Sequence, residues 1–217
     1  MKNLVILSGA GISAESGIKT FRDADGLWEG HDIMEVASPY GWKKNPQKVL
    51  DFYNQRCRQL FEVYPNKAHK ALAELEKHYQ VHIITQNVDD LHERAGSSHI
   101  LHLHGELLSV RSEKDPNLVY RWEKDLNLGD LAHDDSQLRP DIVWFGEAVP
   151  LLEEAISLVK RAHLLIIIGT SLQVYPAASL YTHVHKDAHL PQNVQCINES
   201  AVHAMQDLMP KLIEMAS

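Results

Sequence analysis

A glycine-rich turn near the beginning of the chain has the spacing of a phosphate-binding loop. The apolar run Leu4–Leu7 leads into the pattern Gly9-x-Gly11-x-x-Ala14. Glycines at this spacing let the backbone turn tightly and approach a pyrophosphate, and a helix that begins there directs its amide dipoles at the anion. A glycine turn without a ligand is the alternative, but glycines rarely take this spacing directly after a strand. The motif therefore predicts the diphosphate end of a dinucleotide site.

The chain after this motif departs from the pattern of an ordinary dehydrogenase. Such an enzyme carries an acidic residue about 20 residues further on, at the end of its second strand, to bind the adenine ribose. Here the chain enters an insertion instead, and the next core strand ends in Thr85-Gln86-Asn87. This departure disfavours hydride transfer as the reaction.

Amide and carboxylate side chains follow that strand in the segment Thr85–His92. Gln86, Asn87 and Asp89 lie just past its carboxyl end, where α/β sheets bind their ligands, and amides can pair with a carboxamide. In the alternative interpretation, Asn87 is a turn residue and Asp89 or Asp90 caps the next helix. Both interpretations can hold together.

Two histidines alternate in the segment His99–Gly105. If this segment is extended, His102 and His104 share one face and could be a metal pair, a general base or hydrogen-bonded imidazoles. A pair without a third ligand is insufficient for zinc, and with 14 histidines in the chain chance pairs are expected. His104 is our candidate general base, because an imidazole that titrates near neutrality and precedes a glycine suits the edge of a cleft.

A cation lies on the apolar face of a predicted helix. Asn45-Pro46 is typical of a helix start, and the stripe that follows contains Val49, Tyr53, Arg56 and Leu60. A buried arginine needs a partner. The residues alone favour an internal ion pair with an acidic group of this chain, since guanidinium groups pair readily with carboxylates.

Apolar runs of strand length supply the framework that brings these groups together. The runs are Leu4–Leu7, Val81–Thr85, Ile142–Phe145, Leu164–Ile168 and Val194–Ile197. Most are too continuous for half-exposed antiparallel strands, which predicts a buried parallel sheet. Helical stripes lie between them, at Ala68, Leu72, Leu75 and Tyr79 and at Leu152, Ala155, Ile156 and Val159. We therefore expect an α/β fold, a Rossmann-like parallel sheet with helices on both faces.

Two stretches interrupt this alternation of strands and helices. The first covers about 25–65, and the second, a polar stretch with loop signals, covers about 112–139. We expect a single domain over 1–217, in which a core formed by 1–24, 66–111 and 140–217 carries a small lobe made from the two insertions. The cleft between core and lobe is where a ligand should bind.

Composition narrows the classes of protein and partner. The formal charge is −8 without a Lys/Arg block, which argues against nucleic acid as a partner. No apolar run approaches the roughly 20 residues that span a bilayer, and we find no signal-peptide pattern, so we expect a cytoplasmic protein. Cys57 and Cys196 match no zinc or redox motif and are expected to be buried thiols.

Four motifs together resemble those of the sirtuins, NAD-dependent protein lysine deacylases. They are GAGISAESGIKTFR at 9–22, TQNVDDLHERAG at 85–96, LHG at 103–105 and GTSLQVYPAA at 169–178. They occur in the family's order, and the resemblance runs from about Leu4 to Glu199. It implies NAD as the co-substrate and acyl-lysine proteins or peptides as partners, for an enzyme that we expect to be a monomer.

The resemblance also implies roles for residues that match the motifs. The dinucleotide and nicotinamide region would be lined by Gly9, Ala10, Gly11, Ala14, Thr20, Phe21 and Arg22. The nicotinamide ribose and carboxamide would contact Gln86, Asn87 and Asp89. His104 matches the catalytic base of the family, and the catalytic residues would be His104, Asn87 and Asp89. Phosphate and ribose would contact Gly169, Thr170 and Ser171, and the adenosine end Asn198 and Glu199. Val143, Trp144, Phe145 and Gly146 would pair with the substrate backbone as an added strand.

Tyr53 and Arg56 match the sirtuin branch that removes acidic acyl groups. In that branch the pair reads the distal carboxylate of succinyl-, malonyl- or glutaryl-lysine, which Arg56 would bind through two hydrogen bonds. Most sirtuins also hold zinc with two Cys pairs, but this chain has no Cys between Glu106 and Pro140. We therefore expect no metal site, and a segment 112–139 that depends on packing of Leu118, Tyr120, Trp122, Leu126 and Leu131.

The resemblance implies cleavage of NAD rather than hydride transfer. The acyl oxygen of the modified lysine would displace nicotinamide, and His104 would take a proton from a ribose hydroxyl, which moves the acyl group onto ADP-ribose. A sirtuin-like ADP-ribosyltransferase is one alternative, although it has less need of His104. The other is a non-enzymatic NAD or ADP-ribose sensor, which leaves Asn87, Asp89 and His104 without a task.

Overall fold

The computed structural model describes residues 1–19, 27–28, 30–184, 194–197 and 199–216. The strands are β1 Asn3–Ser8, β2 Leu27–Trp28, β3 His31–Asp32, β4 Gln80–Thr85, β5 Ile100–His102, β6 Gly105–Ser112, β7 Val119–Arg121, β8 Leu138–Ile142, β9 Leu164–Ile168 and β10 Val194–Ile197. The α-helices are α1 Ile33–Val36, α2 Pro39–Lys44, α3 Pro46–Glu62, α4 Lys67–Glu74, α5 Leu91–Ala95, α6 Leu152–Lys160 and α7 Ala201–Ala216. None of the helices in these ranges is long and apolar enough to cross a membrane.

The main sheet is parallel, in the order β10-β9-β1-β4-β5. Side chains of β1 alternate between its faces: Leu4 and Ile6 pack with α4 and α7, whereas Val5 and Leu7 pack with α6. All four are buried, as expected for a central strand covered on both sides. The prediction of a Rossmann-like sheet with helices on both faces is confirmed.

One predicted strand of this sheet is wrong. Ile142–Phe145 is not a core strand: Ile142 ends β8, which pairs antiparallel with β6 in a separate sheet ordered β7-β6-β8. The run is apolar because Ile142 and Trp144 are buried in the small lobe rather than between helices and sheet. The strand β5, in the histidine segment, forms the edge of the main sheet opposite β10.

The glycine motif does not begin an α-helix, which corrects a second expectation. It is followed by two single 3-10 turns, Ala10–Ile12 and Ala14–Ser16, and the second ends at Gly17 with φ +99°. A left-handed residue terminates such a turn, and glycine adopts it without a Cβ clash. No extended row of helix amides therefore faces a ligand here.

The small lobe is built around α3 and the sheet β7-β6-β8. Asn45 caps α3 as predicted, and its side chain accepts a hydrogen bond from the Lys48 amide at 3.1 Å. One buried cluster joins the two parts and contains Val49, Phe52, Tyr53, Val110, Leu126, Leu138 and Trp144. The small sheet begins at Gly105, the last residue of the histidine segment.

An amide on α3 fastens the segment between β7 and β8. Asn54 accepts a hydrogen bond from the Leu126 amide at 2.9 Å and donates one to the Leu126 carbonyl at 3.0 Å. Leu126 is buried, but Leu131 is 55% exposed, so the expectation that Leu131 packs in this segment is wrong. Leu131 instead pairs with Gln137 in an isolated antiparallel bridge.

Candidate active site

A cleft of about 910 Å³ lies at the carboxyl ends of the main-sheet strands, beside the small lobe. The predicted site residues that line it are Gly9, Ala10, Gly11, Tyr53, Arg56, Gln86, Asn87, Asp89, His104, Val143, Trp144, Phe145, Gly146, Gly169, Thr170, Ser171 and Glu199. Ala14 is exposed and does not line it, because it starts the second 3-10 turn. Thr20, Phe21, Arg22 and Asn198 lie outside the described residues.

Two glycine loops meet at the floor of the cleft. The Gly11 amide donates a hydrogen bond to the Gly169 carbonyl at 2.7 Å, and a Cβ on Gly11 would lie 2.8 Å from the Gly169 Cα. Gly169 itself has φ +66°. The glycines after β1 and β9 are therefore required by the close approach of the two loops, a reason that the spacing of the first motif did not reveal.

Ser13 connects the polar residues that follow β4. Asn87 Nδ2 donates to Ser13 Oγ at 3.1 Å, and Ser13 Oγ donates to Asp89 Oδ2 at 3.0 Å. The Leu91 amide donates to Asp89 Oδ1 at 3.2 Å. The N-cap residue of the next helix is Asp90, as one form of the capping interpretation had it, but the Asp90 side chain makes no capping hydrogen bond. Ser13 is a site residue that the sequence analysis missed, although it lies inside the glycine motif.

Burial sets the protonation of Asp89. Its side chain is 5% exposed, and desolvation raises the pKa of Asp89 to about 6 despite the hydrogen bonds from the Leu91 amide and Ser13, which favour the carboxylate. The carboxylate is thus ionised at neutral pH but is held at a cost in free energy. Perturbed carboxyl groups of this kind are concentrated at functional sites.

The two histidines of the 99–105 segment have different surroundings. His104 Nδ1 lies 3.0 Å from the Gln86 carbonyl, which can only accept, so the neutral ring carries its proton on Nδ1 and leaves Nε2 as a base. Burial lowers the pKa of His104, which keeps the ring neutral near pH 7.

His102 contacts the Asn87 carbonyl and pairs with Glu93 at 2.7 Å. Burial opposes the charged form, but the Glu93 contact outweighs it and raises the pKa of His102. His102 is therefore a paired imidazole. Within the described ranges no group of three His, Cys, Asp or Glu side chains could hold a metal ion.

Tyr53 and Arg56 line the cleft from α3. Tyr53 is 2% exposed, and its oxygen accepts a hydrogen bond from Trp144 Nε1 at 3.0 Å. Arg56 is 8% exposed, with its guanidinium carbon 4.6 Å from the centre of the Phe52 ring. Between Arg56 and Leu60, Cys57 Sγ lies 3.0 Å from the Leu107 carbonyl, whereas Cys196 is exposed, contrary to the expectation of two buried thiols.

The segment after β8 has little backbone left for strand pairing. The amides of Val143 and Phe145 donate to the carbonyls of His104 and Ala37, and the Trp144 amide donates to Glu147 at 2.8 Å. The Trp144 carbonyl accepts from the Glu147 amide. A substrate backbone that pairs here would therefore find the amides of Val143, Trp144 and Phe145 already bonded.

The described chain is similar to proteins of one family throughout. The model of the Sir2 family matches residues 9–176. A Helicobacter pylori (strain ATCC 700392 / 26695) protein, named NAD-dependent protein deacylase, is 91% identical over 100% of both chains. A Bacteroides thetaiotaomicron protein of the same name is 50% identical over 98% of this chain and 99% of its own length.

Solved structures agree with the sequence comparisons. A Sir2 homolog–NAD complex is 41% identical, with a TM-score of 0.84 over 100% of this chain and 91% of its own. A Sir2 mutant with a deacetylated p53 peptide and 3'-O-acetyl ADP ribose is 31% identical, with a TM-score of 0.78 over 96% and 92%. With a family model that matches most of its length and relatives of such identity over nearly all of it, the chain belongs to the Sir2 family.

Proposed function

We propose that this chain is an NAD-dependent protein-lysine deacylase that transfers the acyl group to ADP-ribose and releases nicotinamide. The observation that carries the proposal is the half-buried His104, whose Nδ1–H is hydrogen-bonded to the Gln86 carbonyl so that Nε2 is left as a base in the cleft. Relatives of high identity over the full length carry the name of this activity.

The polar groups of the cleft suit a dinucleotide. Thr170 and Ser171 offer hydroxyl and amide donors for phosphate beside the paired glycine loops, and Glu199 offers a carboxylate to ribose hydroxyls. Gln86 is held against Thr170 by a hydrogen bond of 2.9 Å. Asn87 and Asp89, both tied to Ser13, would hold the nicotinamide end. NAD supplies ADP-ribose as the acyl acceptor and nicotinamide as the leaving group.

His104 would act as the general base for a ribose hydroxyl. Its neutral form predominates at pH 7, because burial lowers its pKa. The fixed Nδ1 hydrogen bond holds the ring in the tautomer that accepts a proton at Nε2. An ADP-ribosyltransferase or an NAD sensor has no comparable use for such a base, which is why we rank both below deacylation.

The finer proposal is a preference for acidic acyl groups. Arg56 is almost fully buried and still lines the cleft, and Tyr53 lies one helical turn before it. A guanidinium group and a phenol in an apolar wall suit a carboxylate at the end of a short chain, such as succinyl or malonyl, better than the methyl of an acetyl group.

Mass spectrometry tests both the deacylase activity and the preference for acidic acyl groups. The protein is incubated with NAD and matched acetyl-, succinyl- or malonyl-lysine peptides. We expect nicotinamide and acyl-ADP-ribose, with a higher kcat/KM for the acidic peptides. ADP-ribose on protein would indicate the transferase, and no turnover would indicate the sensor. Equal rates on acetyl and succinyl peptides would reject the acidic preference alone.

Variants of the two α3 residues sharpen this test. Arg56→Met and Tyr53→Phe should each lower the ratio of succinyl to acetyl kcat/KM by about tenfold or more, because each removes a hydrogen bond to a charged group. Arg58→Met, on the exposed side of the same helix, is the matched control and should leave the ratio unchanged. Loss of both activities in parallel would contradict a role in acyl selection.

A further inference from the structure

Trp144 contacts Tyr53 in the part of the cleft that contains Tyr53 and Arg56, which we call the acyl end. The family resemblance did not imply this contact. The motif match gave Trp144 a role in pairing with the substrate backbone, but its amide is bound to Glu147 and its side chain is 2% exposed. The indole Nε1 instead donates to the Tyr53 oxygen at 3.0 Å.

This hydrogen bond determines what the Tyr53 hydroxyl can do. A phenolic hydrogen prefers the plane of its ring and so has two favoured positions, and an incoming N–H donor occupies one of them. The Tyr53 proton must then take the other position, away from Trp144. Burial raises the pKa of Tyr53, so the proton stays on the oxygen at neutral pH. Among the described residues the Tyr53 oxygen has no hydrogen-bond partner besides Trp144.

We propose that Trp144 is a specificity-determining positioning residue, which fixes Tyr53 as a hydrogen-bond donor toward the acyl group and so favours acyl groups that end in a carboxylate. Without the indole N–H, the hydroxyl is able to turn and present a lone pair, which a carboxylate repels. The inference rests on the proposed acidic-acyl activity and adds a residue that acts through Tyr53.

The surroundings of Trp144 hold its indole rigidly enough for this role. The guanidinium carbon of Arg139 lies 3.3 Å from the centre of the indole ring, and Arg139 is bound in turn by both carboxylate oxygens of Glu147 at 2.7 and 3.1 Å. Glu147 also accepts from the Trp144 amide, which closes a ring of contacts. Trp42 packs nearby, with ring centres 5.8 Å apart.

Trp144→Phe removes the N–H and keeps an aromatic ring under Arg139. We expect the ratio of succinyl to acetyl kcat/KM to fall about fivefold to tenfold, the size of one impaired hydrogen bond to a charged group. In a Tyr53→Phe background the same substitution should lower the ratio no further. Trp42→Phe removes another indole N–H of the same cluster, one bound to Glu113, and should leave the ratio unchanged.

The outcomes separate this inference from the proposed function. A wild-type protein that does not prefer succinyl overturns both. If the wild type prefers succinyl and Tyr53→Phe removes the preference, then an unchanged ratio in Trp144→Phe, or an equal fall in both backgrounds, overturns the role of Trp144 alone. Should Trp144→Phe not fold, benzothienylalanine at position 144 has the shape of tryptophan without the N–H, and the same outcomes apply.

Discussion

At the scale of single residues, we propose His104 as the general base of the chemical step. His104→Ala should lower turnover by about 10²–10⁴-fold, the usual contribution of a general base, while NAD still binds. Turnover is measured by nicotinamide release and binding by calorimetry. His99→Ala removes an exposed histidine from the same segment and should stay within twofold of the wild type. Unchanged turnover in His104→Ala would end the assignment.

The pH dependence of the same reaction follows from the lowered pKa of His104. The base must be neutral, so activity should be constant on the alkaline side of pH 6.5, the ordinary value for histidine, and should fall only below it. A profile of log kcat/KM against pH from 5 to 8 checks this. An acidic limb centred above pH 7 would contradict a half-buried, neutral base.

The buried charge of Asp89 is expected to lower the free energy of unfolding of the protein. Its folded pKa of about 6 is raised, so the folded state binds the proton more readily than the unfolded state, and the buried carboxylate is destabilising above pH 6. Asp89→Asn should raise the free energy of unfolding at pH 7 by about 2 to 3 kcal/mol and lower activity.

Urea unfolding at pH 7 and pH 4 tests this sign. The gain from Asp89→Asn should shrink toward pH 4, where the wild-type carboxyl is itself neutral. Asp90→Asn changes the neighbouring, less buried carboxylate and should give no comparable gain. A gain of equal size at both pH values would show that burial of the Asp89 charge is not its source.

At the scale of elements, the contact between the two glycine loops is open to a direct test. Gly169→Ala places a Cβ against the Ile12 amide in a left-handed residue, whereas Gly129→Ala, with φ +95°, meets nothing within 4 Å. Gly129→Ala should cost about 1 to 2 kcal/mol of backbone strain, and Gly169→Ala clearly more. Urea unfolding of both variants measures the difference, and equal losses would mean that loop contact adds nothing.

The elements also show how far the sequence could predict the molecule. Continuous apolar runs predicted β1, β4, β9 and β10, since a parallel strand covered on both faces has no polar alternation. The same rule failed at Ile142–Phe145, because a run of apolar letters does not state which core it enters. The short strand β5 was not predicted, because histidines alternate with the apolar residues of its segment. In the fold, the rings of His102 and His104 are hydrogen-bonded to the carbonyls of Asn87 and Gln86.

The residues of the candidate site could be predicted where they belong to short sequence motifs. The glycines after β1 and the residues Gln86, Asn87 and Asp89 could be named because each follows a predicted strand. His104 could be named because an imidazole that precedes a glycine suits the edge of a cleft. Ser13 and the indole of Trp144 could not, because their partners, Asn87 and Tyr53, lie 74 and 91 positions away in sequence. Such contacts arise only when the elements are assembled.

At the scale of the whole molecule, buried neutral histidines should make the fold sensitive to acid. Burial lowers the pKa of His69 to about 4 and that of His92 far below its ordinary value. Below pH 6.5, His69 and His92 therefore bind protons in the unfolded chain but not in the folded chain. The free energy of unfolding decreases as the pH falls. The raised pKa values of Asp89, Asp141 and His102 act in the opposite direction, whereas the lowered pKa values of His82 and His104 add to the effect.

His92→Gln isolates one of these contributions. Glutamine can still bond to Ser8, which lies 3.0 Å from His92 Nε2, but it does not titrate. The slope of unfolding free energy against pH, measured in urea between pH 6.5 and 5, should decrease by about 1.4 kcal/mol per pH unit. His203→Gln, at an exposed position, should leave it unchanged, and an unaltered slope in His92→Gln would contradict the assignment.

The clamp between Asn54 and Leu126 also bears on how this protein can be rebuilt. The Asn54 side chain is hydrogen-bonded only to main-chain atoms of Leu126. A transplanted loop could therefore keep these two bonds if one of its residues directed both its N–H and its C=O toward α3. Asn54 directly follows Tyr53 on α3, so a graft that keeps this pair of hydrogen bonds would keep the helix that carries Tyr53 and Arg56 anchored to the loop. Such a loop would also need an apolar side chain to replace the buried Leu126 in the core of the small lobe.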